Sequence, residues 1–279
     1  GAAAIARKSG LETVEAFLTL ESVDALVASG LEADLLVANN VLAHVPDIVG
    51  FATACRRLLA DDGVSSFEFQ YLGELISQTE FDTIYHEHFS YLSLTAAEAV
   101  LEAAGLTVFE VERLTTHGGS LRVYAQVAGG RGLPVARSVD LLRAEEAELG
   151  LRTSFFYSGF QPRVNLIRDQ LRSFLIDARK EGRTVVGYGA AAKGNTLLNY
   201  AGVGPDLVRY VVDNNPAKQG HYLPGSHIPI VEEHRIAEDQ PDFVLILPWN
   251  LRDEIKYRLE SLGGWSGSMV TAIPKLIID

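Results

Sequence analysis

The segment "DTIYHEHFSY", Asp82 to Tyr91, places two histidines, two tyrosines and two carboxylates within ten residues. Groups of these types can move protons, hold a metal or line a polar loop. Imidazole titrates near neutral pH, which suits His88 or His86 to general-base work. In an extended chain Tyr85 and Glu87 share one face while His86 and His88 share the other, so convergence of Tyr85, Glu87 and His88 requires the segment to turn. His86 and His88 also have the spacing of a metal-ligand pair on a strand, but no further ligand follows at a recognisable interval, and no metal is expected from this chain.

A second stretch, "VVGYGAAAKGNT", reads as strand, glycine turn and helix, with Gly187 and Gly189 ending the strand and the helix starting near Asn195. Backbone N–H groups at such a helix start point at an anion, and diphosphate is the natural occupant. Gly189, Ala190, Asn195 and Thr196 belong to this turn, Lys193 offers a point charge, and Asp213 ends the next strand where a ribose or base partner belongs. Glycines are also what any tight strand-to-helix turn uses. The spacing departs from G-x-G-x-x-G, and Lys193 precedes Gly194, so neither a dinucleotide fingerprint nor a Walker loop is present. His227, Trp249 and Asn250 fall on loops where an open sheet collects ligands.

The surrounding elements must position these groups. A chain of 279 residues, 47% of them hydrophobic, suits two folded domains. A net charge of -12 argues against a surface made for phosphate backbones, hence no nucleic-acid partner. No apolar run is long enough to span a membrane and the first residues lack signal-peptide regions, so a cytoplasmic setting is expected. The one cysteine, Cys55, sits in a helical pattern and excludes disulfides and thiolate zinc sites within the chain.

Strand and helix alternate first: "ADLLVANNVL" as a strand ending at Asn39 and Asn40, a helix opened by Pro46 and closed by Gly63, and "VSSFEFQ" as a strand. "LTAAEAVLEAAGL" follows, with Thr95 and Glu98 spaced as a capping box and Gly105 as the terminal cap. Two strands joined by "TTHGG" complete this part, in the order of the second half of a doubly wound sheet finishing in an antiparallel hairpin. A helical connector includes an amphipathic helix from about Pro162. Beyond it, "RTVVGYGAAAKG", "LVRYVVDNNP" and "DFVLILPWN" predict a second α/β unit with parallel strands. The expected boundaries are 1–128, 129–180 and 181–279.

Taken in order, "NNVLAHVPD", "YHEHFSY", "HGGSLR", "GYGAAAKGNTLLNYAG", "VVDNNPAKQGHYLPGSHIPI" and "LPWNLRDEI" resemble the nucleotide-sugar C-methyltransferases, over nearly all of the chain. That resemblance implies an α/β fold: the C-terminal part of a class I methyltransferase sheet followed by a Rossmann-like nucleotide-sugar domain. It implies methyl transfer from S-adenosylmethionine to a ring carbon of a dTDP-4-keto-deoxysugar, C3 first and C5 as the alternative. Zinc is expected only in an N-terminal cysteine-rich domain of the family; that domain and the glycine-rich donor motif would precede Gly1.

The implied roles fall on residues already singled out. His88 is the base, Tyr85 donates to the keto oxygen, and Glu87 orients or supports the site electrostatically. Asn40 and His44 match family active-site positions, with His44 a second candidate for proton transfer or for holding the keto oxygen, and Asn39 lies near the donor. Asp213, His227 and Asn250 surround the nucleoside. Arg122, in "GGSLR", either reaches the substrate or pairs with Glu68 or Glu110. A monomer is favoured. The competing readings are a nucleotide-sugar-binding module without catalysis and an NAD-dependent oxidoreductase.

Overall fold

A computed structural model describes residues 1–279, the side chain of Leu262 excepted. In chain order the elements are helices α1 (Ala2–Lys8) and α2 (Leu20–Ala28), strand β1 (Ala33–Asn39), α3 (Ile48–Leu58), β2 (Leu59–Gln70), α4 (Leu72–Ser77), α5 (Leu94–Ala103), β3 (Leu106–Leu114) and β4 (Ser120–Val127). Then follow α6 (Arg137–Leu149), α7 (Ser154–Ser158), α8 (Phe160–Lys180), β5 (Val185–Tyr188), α9 (Ala192–Ala201), β6 (Val211–Val212), β7 (Ile230–Val231), α10 (Arg235–Asp239), β8 (Phe243–Ile246), α11 (Arg252–Leu262), β9 (Ser268–Thr271) and β10 (Ile277–Ile278). They form two compact units, one of residues 1–71, 89–114 and 120–146, the other of 72–88, 115–119 and 147–279. The connector anticipated at 129–180 divides between them after Glu146.

Unit 1 is a four-stranded sheet in the order β1-β2-β4-β3. β1 and β2 are parallel, while β4 runs antiparallel to both of its neighbours, the expected half-sheet with a closing hairpin. Phe67, Leu121, Val123 and Ala125 are buried against Phe51, Cys55, Leu94 and Leu101 of α3 and α5. Two local expectations are corrected. Gly63 does not close α3; it lies inside β2, where an added Cβ would come 2.7 Å from the Ala33 carbonyl oxygen. Thr95 and Glu98 form no capping box: Ser93 caps α5 by accepting the Ala96 N–H at 3.1 Å. The buried Glu146 captures Thr95 instead, accepting its N–H and hydroxyl at 2.9 and 2.6 Å and the Leu94 N–H at 2.6 Å. Glu98 pairs with Arg143.

Unit 2 carries a six-stranded sheet, β10-β9-β8-β5-β6-β7, parallel except for β10. α8 and α9 cover one face through Val164, Ile167, Leu171, Leu175, Leu197 and Leu198; the apolar residues of α8 recur every three or four positions, as an amphipathic helix requires. α10 and α11 cover the other face through Ile236, Ile255 and Leu259. The strand order reverses between β5 and β8, so the loops after those two strands flank the crevice where such sheets bind ligands. Among the described residues no helix is long and apolar enough to cross a membrane.

Candidate active site

The proton-rich decapeptide begins in unit 2, where a 3-10 turn, Phe81–Thr83, leads into a reverse turn closed by the His88 N–H donating to the Tyr85 carbonyl at 3.0 Å. The segment turns here, but the turn does not bring Tyr85, Glu87 and His88 all together. It stacks the Tyr85 and His88 rings, centroids 4.3 Å apart and planes tilted by 32°, and leaves His86 and Glu87 exposed at its corner. Tyr85 and His88 are therefore brought together and Glu87 is not. Nδ1 of His88 lies 2.9 Å from the Thr83 carbonyl oxygen. A carbonyl only accepts, so Nδ1 holds a proton, and in the neutral imidazole the lone pair falls on Nε2. Thr83 is itself buried, its hydroxyl donating to the Glu80 carbonyl at 2.8 Å.

Asp82, in the same 3-10 turn, is fully buried. Its Oδ2 accepts the Trp249 indole N–H at 2.8 Å, while Oδ1 has no partner among the described residues. Burial raises its pKa to about 6, against the opposing pull of Lys193 and the indole hydrogen bond. Lys193 stands 4.4 Å from the centroid of the Trp249 ring and donates to the His117 carbonyl at 2.9 Å and to Asn250 Oδ1 at 3.3 Å. Burial lowers its pKa, a shift that Asp82 and Glu80 oppose. The Lys193 ammonium thus sits on protein partners in the β5–β8 crevice, together with Asn250.

The turn after β5 also departs from the expected anion cradle. α9 starts at Ala192, three residues before Asn195, without a side-chain cap. The Ala190 N–H, anticipated as an anion donor, is taken by Asp213 Oδ2 at 2.8 Å, and Asp213 Oδ1 accepts the Asn215 N–H at 2.8 Å. Lys218 completes the knot, donating to Asp213 Oδ2 at 3.1 Å and to the Ala190 carbonyl at 2.9 Å. Gly189, at φ +89°, allows the close pass of this turn, since a Cβ there would lie 2.6 Å from Pro248. Thr196 turns its hydroxyl back to the Ala192 carbonyl. Beside the turn opens a groove of about 400 Å³ whose lining includes Ala190, Asn195, Lys218, His221, Tyr222 and Pro224. Asn195 Oδ1 is buried there without a hydrogen-bond partner among the described residues. His227 is not in the lining; it occupies an exposed left-handed turn position at φ +56°.

In unit 1, Asn39 ends β1 with its side chain exposed. Asn40 follows in the left-handed region, φ +53°, its N–H donating to the Glu68 carbonyl at 2.8 Å. His44 closes a 3-10 turn, Leu42–His44, and is half-buried. Arg122 takes the pairing role left open by the sequence: its guanidinium reaches Glu68 Oε2 at 2.9 Å and Glu112 Oε2 at 3.3 Å, rather than Glu110.

Residues 115–274 match the family described as "C-methyltransferase C-terminal domain". The chain belongs to this C-methyltransferase family. Residues 5–111 match a second family, described as a methyltransferase domain. C-methyltransferase NovU of Streptomyces niveus is 36% identical over 273 residues, which cover 98% of the chain and 65% of NovU. The chain thus spans about two thirds of the length of that curated relative. Among solved structures, magnesium protoporphyrin IX methyltransferase of Synechocystis PCC 6803, with bound SAH, is 14% identical over 34% of this chain and 44% of its own, at a TM-score of 0.27. A chain from a structure of disulfide-to-thioacetal conversion in echinomycin biosynthesis is 17% identical over 52% of this chain and 66% of its own, at a TM-score of 0.30.

Four groups of this family member carry more of the site geometry than the sequence suggested. Lys218, His221 and Tyr222 line the groove, and "NNPAKQGHY" held a signal for them: an Asx-Pro turn followed by a cation and two ring side chains. Asp82 gave no signal, because its partner lies 167 residues away.

Proposed function

We propose that this chain serves base-catalysed C-methylation of a nucleotide-linked keto sugar, a dTDP-4-keto-deoxyhexose, at the carbon next to its ketone, C3 before C5. The observation that carries the reading is His88 held by the Thr83 carbonyl with Tyr85 stacked upon it. His88 Nε2 takes the proton from the carbon, the C–H electron pair becomes an enolate, and the Tyr85 hydroxyl donates to the oxygen that gains charge. S-adenosylmethionine, when bound, supplies an electrophilic methyl group on a sulfonium. The exposed carboxamides of Asn39 and Asn40, at the carboxyl end of parallel strand β1, fit that group and would hold it, with His44 on the following turn.

Nucleotide recognition is assigned to the groove of unit 2. The uncapped first turn of α9 and Lys218 supply donors for the diphosphate, and Asn195, His221 and Tyr222 supply polar and stacking contacts for the nucleoside. Asp213 shapes this groove through the Ala190 turn.

Solvent deuterium entering a dTDP-4-keto-6-deoxyhexose tests the proton step without any methyl donor. The wild-type chain labels the carbon next to the ketone, and His88→Ala lowers the rate by about 10²–10⁴-fold, the usual worth of a general base. Binding of dTDP with no exchange would leave a binding module; no binding at all would remove the substrate assignment.

A further inference from the structure

We infer that Asp82 and Trp249 are positioning residues for His88, acting through the Thr83 carbonyl that fixes its tautomer. The inference rests on the reading of His88 as the base.

The chain of contacts is continuous within unit 2. The Trp249 indole is held on three sides: its N–H by Asp82, its face by the Lys193 ammonium, and its edge by Gly118, where any Cβ would collide with the ring. Lys193 is fixed in turn by the His117 carbonyl and Asn250. Asp82 and Thr83 are consecutive residues of one buried 3-10 turn, and on its other side the Phe81 ring packs edge-on against Tyr200, centroids 5.2 Å apart. The indole bond therefore sets the rotation of this turn and with it the direction of the Thr83 carbonyl. Only when that carbonyl faces Nδ1 is the proton kept there and Nε2 left basic.

A merely structural role explains the carboxylate poorly. A buried carboxylate is costly, and an amide or hydroxyl would accept the indole N–H without burying a charge. Groups held at such cost collect where geometry serves chemistry.

The test combines the deuterium-exchange assay with ¹⁵N NMR of the His88 ring, which reports its tautomer directly. Trp249→Phe keeps the packing and removes the N–H. It is expected to lower exchange by about 10–100-fold, part of a general base's worth, with KM for the nucleotide sugar unchanged and the His88 signals averaged between tautomers. Asp82→Leu should match it, whereas Asp82→Asn, which keeps an acceptor for the indole, should show a smaller loss and retain the Nδ1–H tautomer. Wild-type exchange and an unaltered His88 tautomer in Trp249→Phe would overturn the inference. If His88→Ala itself leaves exchange intact, the base assignment fails, a result separable from positioning because the tautomer signal is read without turnover.

Discussion

The carboxylate of Asp213 accepts the backbone N–H of Ala190 at 2.8 Å, tying the end of β6 to the turn after β5. With Asn215 and Lys218 also on its two oxygens, Asp213 is engaged by the protein itself. Asp213→Ala is expected to cost about 3 kcal/mol, since it leaves several donors without a charged acceptor. Urea unfolding should show this loss without any ligand, and weakened dTDP binding in the variant should accompany it.

Lys218 and Lys193 separate the groove from the crevice. Lys218 lines the groove, whereas the Lys193 ammonium lies over Trp249. Isothermal titration with dTDP should give a Kd raised about tenfold for Lys218→Met, or about 1.4 kcal/mol, and by less than about twofold for Lys193→Met. The reverse order would return the diphosphate to Lys193.

Asp82 gives a pH dependence of defined sign. Its pKa rises from 3.8 to about 6 on folding, so between those values the folded chain binds more protons than the unfolded one. Its contribution to stability is greatest below the unfolded value, falls as pH rises through the folded value, and changes no further above it. Asp82→Asn, which keeps an acceptor for the indole, should gain on wild type from pH 4 to pH 7, by on the order of 2–3 kcal/mol at most. Thermal midpoints of the two proteins that run parallel across this range would contradict the assignment.

Glu146 makes three hydrogen bonds at the first turn of α5 from a buried position in α6. Glu146→Ala should destabilise unit 1 by about 2–4 kcal/mol, because the buried Leu94 N–H and the half-buried Thr95 N–H lose a charged acceptor. Hydrogen exchange at Leu94 and Thr95 should quicken with it, while Thr95→Val should cost less.

The sequence reveals what local pattern controls. The three- and four-residue recurrence in α8, the Gly105 cap and the β3–β4 pair could all be read from neighbouring residues, as could the need for the decapeptide to turn. What escaped was set from afar. Thr95 looks like a cap until Glu146 reaches it, Lys193 looks like a phosphate ligand until Trp249 and His117 take its ammonium, and Asp213 looks like a ribose partner until Ala190 claims it. His227 and His221 are equally polar on paper. The left-handed backbone at His227 belongs to a turn outside the groove lining, which holds His221 instead.

Unit 2 is assembled from three separated stretches, 72–88, 115–119 and 147–279. During synthesis the first two leave the ribosome before β5 to β10 exist, so Phe81 and Asp82 must wait, apolar and charged surface uncovered, for the core and the indole that will receive them. The segment proposed to carry the proton chemistry then acquires its shape only once those later strands are made. A gene cut between residues 146 and 147 would keep every stretch of unit 1 on one product but split unit 2, leaving the histidine on one piece and the tryptophan that steadies it on the other.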